Sequence, residues 1–139
     1  MSYAGFWKRV AAFLIDSVVL KIVSFPLVAI FCRAMDLCGL KDLEILELTV
    51  VWFGIALGLL YYAAMESSAM QATLGKRAVG IKVTDLDGNR IGFGRAIGRF
   101  VGKILSAILF LIGYIMVAFT EKKQSLHDIM AGCLVVNRA

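Results

Sequence analysis

From Val10 to Cys32 the chain carries no charge except Asp16 and Lys21, and from Leu48 to Met65 it carries none at all. At 1.5 Å of helical rise per residue, both runs approach or exceed the hydrocarbon core of a bilayer, roughly 30 Å thick, with the second near the lower limit. A third run, from about Ala96 to Phe119, is comparably apolar but contains Arg99 and Lys103. A chain of 139 residues that is 60% hydrophobic is too small to hide that surface in a water-soluble core, so lipid must cover part of it. The expected fold is a mainly α membrane protein forming one domain over residues 1–139. It has two transmembrane helices, about 10–32 and 48–65, and a third membrane segment at about 96–119 that is either a helical hairpin or a single span.

Lys8 and Arg9 precede the first run as they would a signal peptide. Asp16 and Lys21 interrupt any cleavable apolar region, however, and Ile30-Phe31-Cys32 lacks the small residues of a cleavage site, so the helix is read as retained. Tyr3, Phe6 and Trp7 beside those two cations form an interfacial anchor along the membrane surface. The loop from Arg33 to Glu47 is acidic (Asp36, Asp42, Glu44, Glu47), whereas the loop from Ser67 to Gly94 carries Lys76, Arg77, Lys82 and Arg90. Basic loops stay in the cytoplasm, which puts the N-terminus and the long loop inside. A net charge of +5 is then accounted for by anionic lipid, with no nucleic acid required.

Within the long loop, Ile81 to Thr84 alternates apolar and polar residues, Asp87-Gly88-Asn89 supplies turn chemistry, and Ile91 to Phe93 returns. This predicts a cytoplasmic β-hairpin or small sheet at about 80–93. A weak repeat runs further: Thr73-Leu74-Gly75 through Val83 aligns without gaps to Ser125-Leu126-His127 through Val135. Each copy reads as a cap, one helical turn, a glycine stop and a strand, giving a C-terminal turn and strand at about 124–137. If those strands pair, the chain must return to the cytoplasmic side. A hairpin turning near Gly113 leaves only Arg33 and Lys41 outside, whereas a straight span also exports Lys122, Lys123 and Arg138, so charge favours the hairpin.

The candidate site is a buried polar cluster. Arg9 and Asp16 are two helical turns apart and share a face. Arg9 can reach the headgroups, but Asp16 needs a partner, a wet cavity or a proton. Lys21 lies deeper, about 140° round the helix from Asp16. Glu66 either ends the second helix in solvent or joins Arg9 and Asp16. His127 and Asp128 open the C-terminal turn, as a proton shuttle or as its cap. Gly94, Gly98 and Gly102 line one side of a helix, and Gly54 and Gly58 offer a similar patch, which favours close helix packing within the chain or between copies. Cys32, Cys38 and Cys133 fit no metal spacing and read as apolar thiols, and nothing resembles a P-loop, a catalytic triad or a metal box. No enzyme activity and no cofactor are expected.

These segments resemble the RDD family of small membrane proteins, named for one arginine and two aspartates. Gly5-Phe6-Trp7-Lys8-Arg9 through Asp16 looks like its first segment, Thr73 to Arg77 with Gly80 and Val83 its middle, and Leu126-His127-Asp128 with Ala131-Gly132 its end. By position the arginine is Arg9 and the aspartates are Asp16 and Asp128; Lys21 lies outside the pattern. The resemblance implies transport of an unidentified solute, or sodium/proton exchange as in some members, from a bacterial inner membrane. The expected function is therefore transport or ion coupling, with Asp16 holding a proton or monovalent cation. The alternative is a scaffold or assembly factor in which Arg9, Asp16 and Asp128 lock the fold. Expected partners are the lipid bilayer and either further copies of the chain or other membrane proteins.

Overall fold

A computed structural model of the chain describes residues 2–39, 42–108 and 115–138. Two long helices dominate it, α1 over Phe6–Leu37 and α2 over Leu43–Ser67. Both are long and apolar enough to cross a membrane. At 1.5 Å per residue α1 is about 48 Å long, so helix continues past the apolar run and takes in Arg33 and Asp36. Asp42 caps α2 by accepting from the Glu44 N–H at 3.0 Å. Burial is confined to one end of the pair: Ala12 and Asp16 on α1, and Gly58, Tyr62, Ala63 and Glu66 on α2. Elsewhere the two helices present apolar side chains outward, as lipid requires.

That end is covered by a cap. A short helix α3 (Leu74–Ala78) leads through Gly80 (φ +73°) into strand β1 (Ile81–Asp85). After a turn closed by the Asp85 carboxylate on the Asn89 N–H at 2.7 Å, helix α4 runs over Phe93–Ile108. A 3₁₀ turn at Met116–Ala118 precedes α5 (Leu126–Met130), Gly132 (φ +60°) and strand β2 (Cys133–Asn137). The expected hairpin is corrected here: β1 pairs antiparallel with β2, while Phe93 begins a helix. Local alternation identified a strand but could not name its partner. Residues 2–4 extend the sheet, with the Ala4 N–H donating to Val135 at 2.9 Å and Tyr3 bridging Val136. The start of the chain thus lies along the edge of the sheet, and Phe6 and Trp7 open α1.

The register centres on Val83 opposite Val135, which are equivalent positions in the internal repeat. Both copies run cap, short helix, left-handed glycine and strand, and the two strands meet about that pair. The pairing puts the C-terminal strand on the same side as β1, which a straight third crossing forbids. The turn expected near Gly113 lies outside the described residues. The described part of α4 covers Phe93–Ile108. It is inverted relative to a soluble helix, burying Ala96, Arg99, Gly102 and Ser106 while Phe93, Val101 and Ile108 face outward. Among the cysteines, all free, only Cys133 is buried, and Cys38 is exposed.

Two glycines set how closely the cap approaches. A Cβ on Gly75 would collide with the Ala12 carbonyl oxygen and stand 2.8 Å from the Asp16 carboxyl carbon, so α3 touches the α1 backbone directly. A Cβ on Gly102 would come within 2.8 Å of the His127 Cβ, so α5 rests on α4 in the same manner. Gly75→Ala is expected to cost about 3 kcal/mol by overpacking and to lower the melting temperature of the detergent-solubilised chain. Gly98→Ala, which meets open space, serves as the control; equal melting of the two variants would refute the close approach.

Candidate functional site

Asp16 and Arg9 share a face of α1 but do not pair. Asp16 is 1% exposed, and its oxygens accept from the Tyr61 hydroxyl at 2.7 Å, the Thr73 hydroxyl at 2.6 Å and the Gly75 N–H at 2.8 Å. All three donors are neutral, and among the described residues no cation lies within ion-pair distance of Asp16. Thr73 in turn accepts from the Lys76 N–H at 3.3 Å, so Asp16 acts as an outer cap for the start of α3. The sequence located the carboxylate; its partners come from chain more than forty residues away and carry no local signal.

Arg9 instead closes the other half of the cap. Its Nη1 pairs with Asp128, its Nη2 donates to the Lys123 carbonyl at 2.6 Å, and its Nε donates to the Ala4 carbonyl at 3.3 Å. Asp128 is fully buried; it also accepts from the Ser125 N–H at 3.2 Å, across the first turn of α5, and its other oxygen lies 2.7 Å from Arg99 Nη2. Arg99, 1% exposed, reaches from Asp128 toward Glu66, where its Nε stands 3.6 Å from the carboxylate. Glu66 receives Lys76 at 2.5 Å and Lys103 at 3.4 Å. Lys103 also lies 3.7 Å over the Tyr62 ring. Four cations on α1, α3 and α4 thus face two carboxylates on α2 and α5.

Of the sequence candidates, Arg9, Glu66, His127 and Asp128 converge in this network, while Asp16 belongs to the adjoining cap of neutral donors. Lys21 is exposed on α1, away from the cluster. Gly58, beside Phe100, and Gly102 pack against neighbours, whereas Gly54, Gly94 and Gly98 meet nothing within 4 Å. The interior glycine strip is therefore limited to those two positions. Lys76, Arg99 and Lys103 were not among the candidates. Arg99 had a detectable signal, since it shares a helical face with the small residues Ala96, Gly102 and Ser106.

Burial pushes His127 down to about 3 despite the nearby Asp128, so the imidazole is neutral at pH 7 and does not titrate there as a shuttle. Its Nε2 lies 2.9 Å from the Ser125 hydroxyl. Burial also disfavours the charge on Asp128, but Arg99 and Arg9 outweigh it and hold the carboxyl well below the usual range. Burial draws Lys76 down to about 7, against the pull of Glu66. From about pH 7 to 10.5 the unfolded chain therefore binds more protons at this position than the folded chain, so this lysine makes stability rise with pH across that window. Melting at pH 7 and pH 9 should show that rise in the wild type and a flatter profile in Lys76→Met; an unchanged slope in the variant would count against a displaced lysine.

A family model described as RDD family matches residues 3–132. The uncharacterized protein YxaI of Bacillus subtilis (strain 168) is 36% identical, with 96% of this chain and 96% of its own length aligned. The uncharacterized membrane protein YteJ of the same organism is 32% identical over 98% of this chain and 82% of its own length. The uncharacterized protein YckC, again from that organism, is 28% identical over 95% and 83%. No solved structure matches the chain. With the matched span enclosing both membrane helices, the cap as far as α5 and all of Arg9, Asp16 and Asp128, the chain belongs to the RDD family, as a membrane protein.

Proposed function

We propose that this protein is a membrane transport or ion-coupling protein whose exchangeable group is the Glu66–Lys76 pair, with Arg9, Asp16 and Asp128 forming the frame around it. One observation carries the reading: a buried cluster holds four cations against two carboxylates, and its Lys76 is drawn down to about 7. Such a lysine gains and loses a proton at physiological pH with little bias, as a coupling group requires. Asp16 is a poor carrier by comparison, since its acceptor sites are taken by three structural donors. The cap lies on the cytoplasmic side of a bacterial inner membrane in this reading, following the basic loops. Gly54, Gly94 and Gly98 leave smooth outer patches for the second copy that a pathway of this size needs.

A second reading, a structural lock in a scaffold or assembly factor, draws on Arg9, whose guanidinium is tied to Asp128 and to two carbonyls at once. Flux separates the two. In proteoliposomes under an imposed sodium or proton gradient, an entrapped pH dye should report exchange for the wild type, a fall of at least about tenfold for Lys76→Met, and largely retained exchange for Asp16→Asn. Loss in Asp16→Asn with full activity in Lys76→Met would return the carrier role to the aspartate. Absence of flux in the wild type would leave the lock.

A further inference from the structure

Arg9, Lys76, Arg99 and Lys103 converge on Glu66 and Asp128, and no further carboxylate lies within ion-pair distance of them among the described residues. Buried charge is ordinarily matched, because removing each unmatched ion from water costs several kcal/mol. The excess here is positive and sits in a region where the side chains of Lys76 and Lys103 are only 10% and 17% exposed. Arg99 supplies an independent observation. It is 1% exposed, its Nη1 has no hydrogen-bond partner among the described residues, and its Nε is 3.6 Å from Glu66, beyond hydrogen-bond range. The unused Nη1 donor of this buried guanidinium is available to one oxygen of an anion as a charge-assisted hydrogen bond.

We propose that this cluster is a binding site for a phosphate-type oxyanion, held by Arg99 with Lys103 and Lys76. The proposal rests on the ion-coupling reading, for which it names the ion. Lys103 is the entry side chain, because it is the most exposed of the four and its contact with Glu66, at 3.4 Å, is long. The groups facing the anion are Glu66 on α2, Arg9 on α1, Lys76 on α3, Arg99 and Lys103 on α4, and His127 and Asp128 on α5. The carboxylates are already engaged by the cations, so the sum remains favourable to an anion. Two sources share the chemistry, free phosphate and the phosphodiester of a lipid headgroup. The second is at hand because α4 turns Val101, Ile104 and Leu105 outward beside Lys103.

The test is binding, so it fails separately from flux. The delipidated full-length chain in a neutral detergent is titrated with inorganic phosphate, with dihexanoylphosphatidylglycerol and with phosphate-free dihexanoylglycerol, and melting is followed. A saturable rise with inorganic phosphate assigns the free anion; a rise with the phosphatidylglycerol alone assigns a headgroup. Dihexanoylglycerol should give none. Lys103→Gln should weaken the response about tenfold, as expected for one charge-assisted hydrogen bond, while Lys122→Gln, on the exposed surface, should leave it intact. No saturable response to either phosphate source, an undiminished response in Lys103→Gln, or an equal loss in Lys122→Gln would overturn the proposal.

Discussion

Arg99 holds the two halves of this protein together. Its guanidinium lies between Asp128 on α5 and Glu66 on α2, and it is almost wholly removed from solvent. α4 can bury this side chain only because Ala96, Gly102 and Ser106 lie on the same face and let its neighbours come close. Breaking a buried ion pair from one side typically costs about 3–5 kcal/mol, because the partner is left charged and dry. Here the same guanidinium serves two carboxylates, and each carboxylate serves further cations. The arrangement of α1, α2, α4 and α5 at the cap is therefore coupled through these ion pairs as well as through the apolar contacts around Ala12, Ala63, Ala96 and Val135.

The internal repeat explains how a short chain builds such a cap. Lys76 and Asp128 occupy equivalent positions in the two copies, and the sheet brings the copies together about Val83 and Val135. Equivalent positions thus carry opposite charges into one network, Lys76 to Glu66 and Asp128 to Arg9 and Arg99. The close approaches are also exchanged. In the first copy the glycine is on the short helix, at Gly75 against α1; in the second it is on the long helix, at Gly102 beneath His127. One supersecondary unit has been used twice, with the small residue and the sign of the charge reversed.

Much of the fold was legible because it depends on local pattern. The apolar lengths gave both membrane helices, and cap, turn and glycine gave α3 and α5 with the strands that follow them. The pairing of β1 with β2 was legible only through the repeat, since alternation over five residues marks a strand without choosing its neighbour. In the site, Arg9, Asp16 and Asp128 were read as one group, whereas Arg9 pairs with Asp128 and Asp16 has neutral donors of its own. Spacing along one helix says which residues share a face, while Tyr61, Thr73 and Gly75 reach Asp16 by tertiary folding. Arg99 and Lys103 were hidden for a different reason. A helix with one polar and one apolar face has two ways to lie, and the assumption that charge faces water fails where the surroundings are lipid.

Why a buried core should be charged at all bears on what the protein does. A device that only fixes geometry is best served by neutral satisfaction, and the Asp16 cap comes close to that, with one carboxylate and three committed donors. The neighbouring network departs from it: cations outnumber carboxylates, Arg99 has a donor unused, and Lys76 is drawn toward neutrality. A cluster in that condition has two ways to lower its energy, releasing a proton from Lys76 or admitting an anion, and each makes the other less favourable. At the proposed site, anion binding would restore the proton to Lys76, and loss of the anion would release it. Linkage of that kind is what the proposed coupled carrier requires, and it would rest on side chains held within a few ångströms of Glu66.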